Sequence, residues 1–241
     1  NVFHSDINEF LDSKKINVDE KIRIKSLSTG VIIPDKFMEL AYEDEVCYTF
    51  NPHTVYLAYG KYLDDMDMNE MYERLVDNPD VKKKKINARE LLVKISQSQK
   101  ESGYPYIFFK DNANKEHALK ETGDIKFSNL CTEIMQLSEV SDINYYYEED
   151  IIRRGISCNL GSLNIATVME NKRIKEATKA AIDSLTMVSD LTNIDIVPSI
   201  KKANEELHSV GLGAMNLHGF LAKNFIMYES KEALAFRNVF F

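Results

Sequence analysis

Between residues 173 and 194 the chain repeats apolar side chains at helical spacing. Ile174, Ala177, Ala181, Ile182, Leu185, Val188 and Leu191 fall on one face. A stripe of that length has to be covered by a second layer. The layer on offer is a set of short apolar runs: Val31-Ile32-Ile33, Val46 to Phe50, and Tyr104 to Phe109. These are too short for helices and rich in β-branched and aromatic residues, so they read as strands. Strands alternating with long helices define an α/β architecture, with strands covered on both faces. No repeat, low-complexity linker or second domain boundary is evident, so residues 1–241 read as one piece of a single domain.

Local signals place the other elements. Ile22, Ile24 and Leu27 hint at alternation, and strands are expected within 19–33. Pro34-Asp35 opens a helix through Phe37, Met38, Leu40 and Ala41. Asn51-Pro52 marks a turn or helix start. Amphipathic helices follow at about 66–77 and 87–101, the second ended by Gly103. The charge run Lys82 to Lys85 reads as a solvated turn between helices. Residues 126–136 have no clean period, and Ser162 to Ala166 is a short strand or loop. Pro198 starts another helix, and Gly211 and Gly213 interrupt before a third at about 214–223.

The formal charge of -8 and a pI near 5.3 argue against a nucleic-acid-coating surface, which needs a basic face. They leave room for a small phosphorylated ligand held by a few backbone N–H groups. No stretch approaches the roughly 18 to 20 apolar residues of a membrane span, and the N-terminus has no signal-peptide pattern. Three cysteines, Cys47, Cys131 and Cys158, are an odd number with no C-x-x-C pair. That fits a reducing cytoplasm better than a disulfide-stapled secreted scaffold. His4, His53, His117, His208 and His218 show no metal-ligand spacing. There is no initiator Met. The stretch from Ser230 begins like a capped helix and stops at Phe240-Phe241 with no terminating residue, so the chain reads as a fragment of a longer protein.

No nucleotide-binding glycine loop and no G-x-S-x-G is present, and Gly211-Leu212-Gly213 alone is most simply a close-packing or turn feature. Ser128-Asn129-Leu130-Cys131-Thr132-Glu133 is richer. An amide, a thiol and a carboxylate stand at i, i+2 and i+4. In an extended strand or loop they would share one face, where a hydrogen-atom donor, a base and a hydroxyl-binding amide would serve one substrate. On spacing alone, a buried Cys among exposed polar residues is the simpler reading. Ile156 to Asn164, around Cys158, is rich in small and polar residues, and a loop cysteine without a role is equally consistent with it. Cys47 reads as a strand core residue.

At these two segments the chain resembles a known family. S-N-L-C-T-E-I at 128–134 resembles the N-x-C-x-E finger-loop motif of ribonucleotide reductase large subunits. I-S-C-N-L-G-S-L-N-I-A at 156–166 resembles that family's second cysteine segment. K-I-R-I-K-S-L-S-T-G-V-I-I-P-D at 21–35, E-S-G-Y-P-Y-I at 101–107 and V-G-L-G-A-M-N-L-H-G-F-L at 210–221 are also similar. The wording is closest to the class Ib branch of the aerobic class I enzymes.

The resemblance implies a ten-stranded α/β barrel with the active cysteine on an internal finger loop, of which this chain supplies the central part. It implies that Cys131 carries the thiyl radical that takes the 3′-hydrogen of a ribonucleoside diphosphate. Glu133 would accept the 3′-hydroxyl proton, and Asn129 would orient the ribose hydroxyls. The stretch Asn129, Leu130, Cys131, Thr132 and Glu133 would contact substrate. Cys158 would be one of two redox-active cysteines, its partner lying outside these residues. Cys47 does not sit in that partner's motif. The implied partners are a small radical-generating dimetal subunit, a thioredoxin- or glutaredoxin-like reductant, and a second large subunit in a homodimer. No metal or resident cofactor, nucleic acid or membrane is implied for this chain. Tyr145-Tyr146-Tyr147 does not match the surroundings of the radical-relay tyrosines and reads as a surface loop. The alternative is a decayed nucleotide-binding or regulatory relative, which would be free to lose the thiol or the carboxylate.

Overall fold

The computed structural model describes residues 1–21, 23–144 and 149–241. The Tyr145-Tyr146-Tyr147 run lies outside them. The chain divides into two compact units, Asn1–Ser138 and Glu139–Phe241.

The first unit runs α1 (Ile7–Asp12), β1 (Gly30–Ile33), α2 (Asp35–Tyr42), β2 (Val46–Phe50), α3 (Pro52–Tyr59), a 3-10 turn (Leu63–Asp65), α4 (Met68–Asp77), β3 (Lys83–Asn87), α5 (Ala88–Ser102), β4 (Tyr106–Phe109) and α6 (Lys110–Glu116). Side-chain caps start three of these helices. Asn51, Asp67 and Asn87 accept from the N–H groups of Thr54, Asn69 and Glu90, satisfying donors that a helix start leaves unpaired. Gly103 ends α5 at φ 79°, in the left-handed region where glycine carries no Cβ penalty.

Strands β1 and β4 pair in parallel, Gly30 opposite Tyr106 through Ile33 opposite Phe109. Alternation along them sorts side chains onto two faces. Val31, Ile33 and Ile107 join a large core with Phe3, Phe37, Phe50 and Tyr72. Phe3 packs edge-on to Phe37 at 5.9 Å between ring centroids. Ile32 and Phe108 join a second core with Ile125, Leu137 and Phe127. Burial of each such side chain stabilises the fold by about 1.5–3 kcal/mol. This sheet is therefore covered on both faces, and the second face is the one that carries the loop described below.

Two sequence expectations fail in this unit. Residues 23–29 are not a strand, although Gly30–Ile33 is. The buried ammonium of Lys14 donates to Ile24 O (2.7 Å) and Leu27 O, so those carbonyls are not available to a sheet ladder. Lys82 to Lys85 is not a turn. Lys83–Asn87 forms β3, antiparallel to β2 with Cys47 opposite Ile86. Lysines on such a strand keep an exposed edge from pairing with other chains.

The second unit runs β5 (Asn159–Asn164), α7 (Ile165–Glu170), α8 (Ile174–Leu191), α9 (Pro198–Leu207), β6 (Val210–Met215), α10 (Leu217–Lys223) and α11 (Lys231–Phe240). Gly211 and Gly213 separate α9 from α10 as expected, though as part of a strand. They lie within β6, which pairs in parallel with β5, Leu160 opposite Gly211 and Ser162 opposite Gly213. A Cβ on Gly211 would stand 2.7 Å from Leu160 Cδ2 and 3.3 Å from Cys158 Sγ, so close packing is the use of that glycine. Helix α8 lies on the opposite face, where Leu185 meets Gly161. Its apolar stripe is only partly covered, since Val188 and Leu191 are exposed. Two strands about 4.8 Å apart form a bed narrower than a helix about 10 Å wide. Asn204 fixes α9 to α8: its amide donates to Ser189 O (2.8 Å) and its oxygen accepts from Ser189 Oγ (2.6 Å).

Candidate active site

The Cys131 segment is a closed turn set on the second core of the first unit. Phe127 anchors its start, edge-on to Phe108 at 5.8 Å and lying over Gly30, where a Cβ would come within 2.5 Å of its ring. Ser128 and Met135 then form an antiparallel bridge, and Ser128 Oγ donates to Ile134 O at 2.6 Å. Leu137, buried, anchors the far end.

Within this bracket the turn is closed mostly through Asn129. Its carbonyl accepts from Thr132 N–H (3.1 Å), its side-chain oxygen from Ile134 N–H (3.2 Å), and its Nδ2 donates to Glu133 Oε1 (2.8 Å). Thr132 takes a left-handed φ of 64°. Asn129 and Glu133 therefore meet because the chain turns back on itself, and not because alternate side chains of an extended strand share a face. Cys131 stands exposed at the tip, flanked by Leu130, also exposed, and half-buried Thr132. A carboxylate oriented by an amide beside an accessible thiol can take a proton from one substrate hydroxyl while the sulfur exchanges a hydrogen atom at the neighbouring carbon.

One tyrosine that sequence reasoning left out lies near the same turn. Tyr106 in β4 has a phenol held above its usual range, first by the Tyr104 phenol, then by desolvation, Cys131, a hydrogen bond with Tyr104, and Glu133.

The other two cysteines differ sharply. Cys47, in β2, is fully buried, and burial pushes its thiol from the ordinary value of 9.0 to about 11. It is a core residue, as its apolar neighbours implied. Cys158 lies in the second unit, just before β5 and half-buried, with Sγ 3.8 Å from Asn159 O. Among the described residues no group of three or more His, Cys, Asp or Glu is placed to hold a metal ion. No helix is long and apolar enough to cross a membrane.

The fold and the turn point to one family. The chain belongs to the ribonucleotide reductase barrel-domain family, whose model, "Ribonucleotide reductase, barrel domain", matches residues 1–241. Within it the chain is similar to proteins named ribonucleoside-diphosphate reductase subunit alpha. It is 58% identical over 241 residues to that of Bacillus subtilis, covering 100% of this chain and 34% of the relative. It is 48% identical over 239 residues to that of Mycoplasma genitalium, covering 99% and 33%. The fold is also that of the alpha subunit of the Actinobacillus ureae class Id ribonucleotide reductase, with TM-score 0.63 and 23% identity over 99% of this chain and 36% of that one. The chain thus spans about a third of the length of these relatives.

Proposed function

We propose that this chain is the central part of the catalytic barrel of a class Ib-like ribonucleoside-diphosphate reductase large subunit, with the Cys131 turn as its finger loop. The six strands described above would be members of a ten-stranded barrel. In this reading Cys131, as a thiyl radical, takes the 3′-hydrogen of a ribonucleoside diphosphate. Glu133 accepts the 3′-hydroxyl proton, and Asn129 orients the ribose hydroxyls, with Leu130 and Thr132 completing the contact surface. Cys158 and a second cysteine outside these residues give up two electrons and two protons as the 2′-hydroxyl leaves as water, and become a disulfide. A small dimetal subunit supplies the radical, an external thioredoxin- or glutaredoxin-like protein restores the thiols, and the large subunit works in the cytoplasm as a homodimer.

The observation that carries this reading is the 2.8 Å hydrogen bond from Asn129 to Glu133, which closes a turn with a lone exposed thiol at its tip. A structural cysteine would be buried in an apolar setting, as Cys47 is. The test is Cys131→Ala in the full-length subunit, assayed with its radical-bearing partner and a dithiol. Loss of deoxynucleotide product with folding intact is expected, since little volume is removed. Persistent turnover would sink the thiyl assignment.

A further inference from the structure

The segment that carries Cys158 into the sheet of the second unit is strapped along α9. Gly155 N–H donates to Ser199 O (2.9 Å), and Lys202 Nζ donates to Ile152 O (3.0 Å). Ser157 Oγ donates to Asn204 Oδ1 (3.5 Å), and Asn204 is itself fixed to Ser189 on α8. Gly155 lets this strap lie close, since a Cβ there would stand 2.9 Å from Ile200 Cδ1. Just past the thiol, Asn159 N–H donates to Ser209 O (3.3 Å). The backbone on both sides of Cys158 is therefore held.

With its backbone fixed, the sulfur has one torsion left to adjust, χ1. Its S–H donates to Asn159 O (3.8 Å), and it rests against the main chain of Gly211, where a Cβ would stand 3.3 Å away. The register partner of Gly211 is Leu160. Leu160 and Cys158 both reach Gly211, on the face turned away from α8, whereas Gly161 faces Leu185 of that helix. A Cβ at 211 would meet these two neighbours unequally. It would stand 2.7 Å from Leu160 Cδ2, but Leu160 is 61% exposed and yields by turning its free end into solvent. The sulfur has no free end, so it can yield only by turning about χ1, away from Gly211. The shorter contact is thus the cheaper to relieve, and the longer one decides the outcome.

We propose that Gly211 is a positioning residue for Cys158. Its missing side chain is the seat of the reduced thiol and sets the direction in which the sulfur projects. Glycine inside a strand gives up packing and marks a close approach, and here the approaching atom is Sγ. The inference rests on the redox role of Cys158 proposed above. A thiol that serves one substrate has to stand in one place, since a misplacement of about 1 Å can cost about a hundredfold in rate.

The test uses the full-length subunit, assayed with its radical-bearing partner and a dithiol. Gly211→Ala should lower kcat by about tenfold and Gly211→Val by about a hundredfold, with KM unchanged. Gly213→Ala, whose Cβ would meet Ser162 Oγ at 3.3 Å and not the thiol, should stay within about twofold of the unaltered subunit. Gly211→Ala combined with Leu160→Ala removes the clash with Leu160 and should keep the loss of about tenfold. If the loss disappears in that pair, Leu160 was its cause and the proposal is overturned. A cycle of thermal melts needs no turnover. The melting-temperature loss caused by Gly211→Ala should roughly halve, or shrink further, when Cys158→Ala removes the sulfur. A loss that is the same with and without the sulfur overturns the proposal, as does a Gly211→Ala protein with unaltered kcat. If Cys158→Ala itself turns over, the redox reading fails, while the cycle still decides whether Gly211 seats the sulfur.

Discussion

Asn129 and Glu133 hold one another, so a change at either is felt at both. Glu133→Gln keeps a hydrogen-bonding group but removes the proposed base. In the full-length enzyme it should lower the rate by roughly 10- to 10,000-fold, the range for lost acid–base help. Asn129→Asp sets a carboxylate against a carboxylate where 2.8 Å now separates donor and acceptor. It should shift the acid limb of the rate profile upward in pH, because like charges hinder ionisation. The cysteines offer a second check. Iodoacetamide should label exposed Cys131 in the native state and spare Cys47 until denaturant is added, read by peptide mass spectrometry. Cys47 also predicts alkaline behaviour. Its pKa is raised on folding to about 11, so its contribution is complete below pH 9.0 and is lost as pH climbs through that window. Buried Tyr72 is shifted in the same direction by desolvation. Thermal melts of the full-length subunit should fall between pH 9 and 11, and the Cys47→Ala variant should fall less steeply, by about 2–3 kcal/mol over the window. At this scale the sequence made the Asn129, Cys131 and Glu133 grouping legible. It hid Tyr106, because only the pairing of β4 with β1 brings that residue to the turn.

Elements with their own punctuation were the readable ones. Asn51-Pro52, Pro198 and Gly103 announce helix ends by local chemistry, and α3, α9 and α5 start or stop there. Elements defined by distant partners were misread. Lys83–Asn87 is a strand only because β2 lies beside it, and Gly211 and Gly213 are strand residues only because Leu160 and Ser162 lie opposite. The segment 23–29 carries a strand-like pattern but curls around Lys14. Gly30 links element to site. Its missing side chain is filled by Phe127, whose Cζ would lie 2.5 Å from an added Cβ, and Phe108 blocks the ring's retreat. Gly30→Ala should cost about 1–3 kcal/mol, the usual penalty of overpacking, and should lower kcat by displacing the turn. Denaturant melts and turnover of the full-length variant check both. A stable, fully active Gly30→Ala protein would show that Phe127 does not anchor the loop.

On the scale of the molecule, the first unit is well filled and the second is not. Large apolar side chains such as Ile196, Phe225 and Val239 are at least 88% exposed, and α8 overhangs a two-stranded bed. Exposed apolar surface on this scale calls for a covering layer. The 241-residue chain prepared alone should self-associate in analytical ultracentrifugation at micromolar concentration. It should give no deoxynucleotide product with partner and dithiol, because Cys158 has only one half of a two-electron couple in this reading. A monodisperse monomer would contradict the first expectation, and product above a partner-only control the second.

The bracket around the Cys131 turn has an evolutionary corollary. Phe127 and Leu137 are rooted in the sheet's second core, while the inner hydrogen bonds run from residue to residue within 128–134. Foundation and contents are separable. The tip can drift in sequence, as at exposed Leu130, without unsettling the sheet, whereas Ser128 and Asn129 are fastenings that cannot. Such an arrangement behaves as an exchangeable cassette: residues 128–134 grafted from another member of the family should fold here, provided the aromatic at 127 and its glycine seat at 30 are kept.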